Sequence, residues 1–149
     1  MCIRDRNKYA NIKDAVKGAY VLMDAPNNSN PDVILIATGS EVSLTLAAQE
    51  KLMAEGIKAR VVSAPSLEWF MEQPGSYREQ VLPKKIQARV SIEAGISQPW
   101  YQYIGDSGIA VSLEHFGASA SASVLFKEFG FTVEKIVLAA KESIKKANG

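Results

Sequence analysis

Histidine and cysteine are almost absent from this chain: among 149 residues there is one of each, His115 and Cys2. One thiol cannot build a disulfide framework or a cysteine-based zinc site, and it fits a reducing compartment, so a cytoplasmic location is expected. One imidazole leaves no pair of nitrogen ligands and little general acid–base machinery. Charge of one sign is missing too: 17 Lys and Arg stand against 16 Asp and Glu, scattered along the chain, so neither nucleic acid nor an anionic membrane surface is implied as a partner. No run approaches the roughly 20 apolar residues needed to span a bilayer, and the N-terminus lacks an apolar signal-peptide core. A soluble protein is expected. What is present is apolar material, 47% of the residues, enough for the core of one ordinary domain.

The most telling stretch is Asp32 to Val42. Val33-Ile34-Leu35-Ile36-Ala37 is apolar without alternation, as in a strand covered by helices on both faces. Thr38-Gly39-Ser40 then turns into a helix, with Ser40 as expected cap. Free N–H groups at that helix start would favour an anion, although the same turn is needed simply to join a strand to a helix. The motif recurs: Lys58–Ala64 and Arg89–Ala94 read as strands, each ended by Pro65 or Gly95, and Ile109–Leu113 as another. Ala19–Met23 reads as a short first strand, and the turn cluster Pro26–Pro31 lets the chain reverse after it, so that strand is free to lie antiparallel.

Helices are expected over Glu41–Glu55, stopped at Gly56; after Ser66; from Ser76, whose spacing to Glu79 matches a capping box, to about Leu82; after Ser97; around Ser123–Phe129; and from a Thr132 cap onward, where Val133, Ile136, Val137, Ala140 and Ile144 keep helical spacing. In the first of these, Val42, Leu44, Leu46, Ala48, Leu52 and Met53 are expected on the buried side. Alternating strands and helices predict a three-layer α/β/α sandwich on a mostly parallel five-stranded sheet with the first strand antiparallel. Met1–Arg6 matches nothing that follows and reads as a non-native scar. Residues 7–18 read as a polar linker or short helix, assigned as linker, and 19–149 as the domain.

Candidate chemistry is sparse. Glu41 and Glu93 fall at the carboxyl ends of strands, where open α/β sheets place ligands, so Gly39, Ser40, Glu41 and Glu93 form a candidate anion or ligand crevice. The bland alternative is that each carboxylate ties to a backbone N–H, a helix start or an arginine. Trp100, Tyr101 and Tyr103 form an aromatic cluster suited to core packing or to an interface. His115, in a strand-to-loop exit, reads as a surface or interface histidine rather than a general base. Gly105-Asp106-Ser107-Gly108 superficially resembles the segment around a serine-protease nucleophile, but it stands where a turn is required.

Six separated motifs in register carry a resemblance: Ile36–Val42; Ala54-Glu55-Gly56 with Arg60–Ser63; Tyr77–Pro83; Glu93-Ala94-Gly95; Phe116–Ser119; and Phe129–Thr132. Together they resemble the C-terminal domain of transketolase, from about Gly18 to the end. Deoxyxylulose-phosphate synthase and the dehydrogenase β subunits fit less well at the tyrosine-rich helix and at Phe129–Thr132. The resemblance implies a mixed sheet with its first strand antiparallel, and a parent enzyme that moves a two-carbon ketol unit between sugar phosphates of the pentose phosphate pathway. It implies thiamine diphosphate with Mg2+ (or Ca2+), held by N-terminal and middle domains that this sequence does not carry, and a homodimeric parent. The family's Gly-Asp-Gly…Asn-Asn cofactor signature is absent: Gly105-Asp106-Ser107 fails at its third position, and Asn27-Asn28 precedes rather than follows it. The Ser-Arg-Gln segment expected near Met1–Arg6 is not matched, so Arg4 and Arg6 inherit no role. No residue carries over as catalytic. A structural or regulatory domain, inactive alone, is the expectation; the rivals are a standalone phosphate- or nucleotide-binding module and a subunit of a split transketolase.

Overall fold

The computed structural model describes residues 12–113, 124 and 127–149. The five strands are β1 (Tyr20–Met23), β2 (Val33–Ala37), β3 (Ala59–Ser63), β4 (Arg89–Ile92) and β5 (Ile109–Val111), forming one sheet in the order β1-β3-β2-β4-β5. β1 runs antiparallel to β3, with a bulge between Val21 and Met23, and every other pairing is parallel. The expected architecture is the observed one. β5 is shorter than the sequence suggests: it ends at Val111, and the Leu113 N–H leaves the ladder to donate to the Gly95 carbonyl at 2.8 Å.

The unbroken apolar run of β2 has a direct physical cause. Val33, Leu35 and Ala37 pack on one face with α1 (Glu41–Ala54) and the last helix, here α5 (Val133–Asn148). Ile34 and Ile36 pack on the other, with α2 (Leu67–Glu72), α3 (Gly75–Val81) and α4 (Tyr101–Ile104). All five residues are buried because neither face of the strand meets water.

Local signals act where the backbone permits. Ser66 and Thr132, both extended, accept from the N–H groups of Trp69 and Lys135 and cap α2 and α5. Glu134, in the first turn of α5, has its carboxyl held below the ordinary range by a helix-start backbone N–H and then by Lys51. Gly56, at φ 81, closes α1: its N–H donates to Met53 and that of Ile57 to Leu52, each at 3.0 Å. Gly130, at φ 78, precedes the buried Phe131.

Three expectations are corrected. Ser76 does not cap α3, which starts at Gly75 after Pro74; Glu79 instead accepts from the Lys84 N–H at 2.9 Å. Ser97 makes no cap bond, because its backbone is already helical. The buried stripe of α1 is Glu41, Thr45, Ala48, Gln49 and Leu52, with Met53 exposed and Val42, Leu44 and Leu46 half-buried. Polar groups are tolerated there because they are bonded: Gln49 Nε2 donates to the Ala59 carbonyl at 2.7 Å and Thr45 Oγ1 to that of Glu41 at 2.8 Å. The Phe116–Ser119 motif and most of the expected Ser123–Phe129 helix lie outside the described residues, though Val124, Lys127 and Glu128 are helical.

Candidate functional site

The crevice positions follow from topology. β2 and β4 are neighbours, with Ala37 opposite Ile92 at their carboxyl ends. The helix after β2 packs on one face of the sheet, and the 98–104 helical segment after β4 packs on the other. The connections part between these two strands, which is where open α/β sheets leave a ligand crevice. The Thr38–Glu41 turn and Glu93 are thus brought to the same end of adjacent strands.

The side chains there are engaged with the chain itself. Gly39 turns at φ 61, where an L side chain is strained. Ser40 does not cap α1: its backbone is helical, φ −69 and ψ −23, and its Oγ donates to Glu41 Oε1 at 3.1 Å. Glu41 is buried, and its Oε2 lies 3.5 Å from where a Cβ on Gly39 would stand. A carboxylate therefore already faces the positive start of α1, and an incoming phosphate would meet like charge. Glu93 is half-buried, and its Oε2 accepts from Trp100 Nε1 at 2.6 Å. It orients the indole, so one acid of the pair is tied to the aromatic cluster.

That cluster divides. Trp100 and Tyr103 are buried and stack at a 6.4 Å centroid distance in an edge-on arrangement, and Phe70 continues the series to Tyr77. Trp100 and Tyr103 are thus packed into the core, with Tyr103 also reaching the edge of a groove beside α3. Burial, then Glu68, raises the Tyr103 phenol above its ordinary range, and Arg78 opposes the shift. Tyr101 is 59% exposed, with its hydroxyl 3.0 Å from Ser97 Oγ. His115 lies outside the described residues. Gly105–Gly108 is a turn, as expected, closed by the Gly108 N–H on the Gly105 carbonyl at 3.1 Å.

Sequence reasoning missed the arginines. Arg60 grips Asp24 through two bonds of 2.8 and 2.9 Å and reaches the Gln80 and Val81 carbonyls, tying β1, β3 and α3 together. Arg89 spends its guanidinium on the carbonyls of Ile86, Tyr103, Leu82 and Pro83, and burial lowers its pKa. Arg78 lines a groove between α2, α3 and α4. Nothing in the spacing of Arg60, Arg78 or Arg89 names a partner, and only the tertiary arrangement shows what each touches.

Among the described residues no three His, Cys, Asp or Glu side chains converge into a metal-holding set. No helix among the described residues is long and apolar enough to cross a membrane.

With this geometry in hand, comparison with known proteins is specific. A family model described as the transketolase-like TK C-terminal domain matches residues 18–132. Transketolase 1 of Escherichia coli (strain K12) is 53% identical over 139 residues, which is 93% of this chain and 20% of that protein. The transketolase structure from Leishmania mexicana superposes with a TM-score of 0.83 at 39% identity, over 94% of this chain and 20% of that one. A structure described as a split gene transketolase, an inactive beta4 tetramer, has a TM-score of 0.66 at 20% identity, covers 89% of this chain and 44% of that one, and shows likeness of fold alone. The chain spans about one fifth of the length of the full-length relatives it matches. It belongs to the transketolase-like C-terminal domain family.

Proposed function

We propose that this chain serves as the C-terminal domain of a transketolase, contributing architecture rather than reacting groups to the transfer of a two-carbon ketol unit between sugar phosphates. The observation that carries the reading is the asymmetry of coverage: 93% of this chain matches the E. coli relative, yet only 20% of that relative is matched. In this reading the N-terminal and middle domains of the parent enzyme hold thiamine diphosphate and its Mg2+ or Ca2+, the parent is a cytoplasmic homodimer, and the chain works by docking to those domains. The bonds made by Glu41 and Glu93 support it, since one carboxylate accepts from its neighbouring Ser40 and the other orients the buried Trp100 indole. The rival reading, a standalone phosphate- or nucleotide-binding module at the Gly39 turn, draws no support from a turn that a carboxylate already faces.

The test is a coupled ketol-transfer assay on the isolated chain with thiamine diphosphate, magnesium and both a ketose and an aldose phosphate. No turnover is expected. Steady turnover by the purified chain would overturn the reading, and activity regained on adding a separately produced two-domain remainder would identify a split-subunit arrangement.

A further inference from the structure

The strongest unassigned feature lies away from the strand ends, on the face covered by the short helices. A groove of about 670 Å3 runs between α2, α3 and α4, lined by Met71, Gly75, Arg78, Lys84, Gln102 and Tyr103 among others. Its volume is within the range of small-molecule sites.

The charges lining it are not equally available. Arg89 at its floor is used up by four carbonyls. Glu79, the one acid in the lining, turns its carboxylate to the Lys84 backbone N–H. Arg78 is different. It belongs to none of the ion pairs found among the described residues. Nη1 meets only Met71 Sδ at 3.7 Å, a weak acceptor, and Nε is buried with no hydrogen-bond partner. Nε is sealed from solvent, so the groove reaches this half-buried cation at its outer end, where Nη1 and Nη2 present paired N–H donors matched to two oxygens of one oxyanion. Lys84, exposed on the same lining, adds a second positive charge. The half-exposed Met71 and the ring of Tyr103 offer an apolar wall beside the fork.

We infer that this groove is a binding site for a small organic oxyanion, a carboxylate or phosphate ester on an apolar body, with Arg78 as the bidentate anchor, Lys84 as the supporting charge and Met71 and Tyr103 against the body. The site is independent of the ketol-transfer reading and stands or falls apart from it.

The experiment is a nuclear magnetic resonance titration of the full chain, following backbone amides and arginine Nε–H signals, with inorganic phosphate, phenyl phosphate and benzoate as probes up to about 20 mM. Saturable shifts are expected at the Arg78 Nε–H and at the amides of Gly75 and Gln102, with at least one aromatic probe binding more tightly than inorganic phosphate. Phenyl phosphate alone would assign the site to phosphate esters, and benzoate alone to carboxylates. Arg78→Gln should weaken binding about tenfold, and Arg78→Lys, which keeps the charge and loses the fork, by about threefold. Should the glutamine variant fail to fold, the lysine variant carries the comparison. Absence of saturable shifts at the highest concentration, or unchanged affinity in the folded variants, would overturn the proposal.

Discussion

At Gly18 a Cβ would stand 2.3 Å from both the Phe70 N and the Ser66 O, and the backbone there sits at φ +85. Both the space and the conformation demand glycine, because this residue joins the segment before β1 to the start of α2 through the Ser66 N–H bond to its carbonyl. Gly18→Ala is expected to cost about 3 kcal/mol, read by urea unfolding; a cost within about 1 kcal/mol would contradict that packing. Tyr103 supplies a second residue-level test. Its raised pKa means that the fold favours the neutral phenol, so above the ordinary value of 10.0 the unfolded chain loses its proton first. The stability contributed by the neutral phenol is fully present below that pH and is lost as pH rises through the higher folded value. Tyr103→Phe should therefore flatten the fall in stability above about pH 10, at a neutral-pH cost of about 1 kcal/mol or less, since the hydroxyl meets the Leu67 carbonyl only at 3.5 Å. An unchanged alkaline slope in the variant would remove Tyr103 as its source. At this scale the sequence was partly legible. Glu93 and Trp100 both stood out, but nothing in their spacing says that the carboxylate accepts from the indole. Nor does the spacing say that the Arg78 guanidinium is left without an oxygen partner.

The helix starts separate signals that work from signals that only look right. Thr132 stands at φ −125 and ψ 155, extended, so its hydroxyl can turn back onto the Lys135 N–H; Ser40 stands at φ −69 and ψ −23, already helical, and its hydroxyl goes to its neighbour's carboxylate. Thr132→Ala should lower stability by about 1 kcal/mol, whereas Ser40→Ala should cost only a few tenths, roughly 0.3 kcal/mol. Parallel denaturant curves measure both, and equal losses would contradict the distinction. The same contrast explains what was legible among elements. The β2 run, the Gly56 stop and the Thr132 start were readable because local sterics and local bonds decide them. The Ser76 capping box failed because Pro74 and Gly75 begin the turn earlier. The expected apolar face of α1 failed because three polar side chains, Glu41, Thr45 and Gln49, are buried in its stripe. Apolar periodicity cannot register a buried glutamine whose partner, the Ala59 carbonyl, belongs to the next strand.

For the molecule as a whole, alternation of strands and helices predicted the layers and the mostly parallel sheet, while the order β1-β3-β2-β4-β5 rests on contacts between segments far apart in the chain. That order turns the Gly39 turn and Glu93 into neighbours, and side-chain bonding then determines what the neighbours can do: a carboxylate faces the helix start and an indole holds the other acid. In the reading proposed above, a domain so arranged is carried by a larger enzyme. The measurement that tests this most directly is a ketol-transfer assay on a chimera in which this chain replaces the matching fifth of the E. coli relative, run beside the isolated chain. The account predicts turnover by the folded chimera and none by the isolated chain. Turnover by the isolated chain, or a folded but inactive chimera, would contradict it.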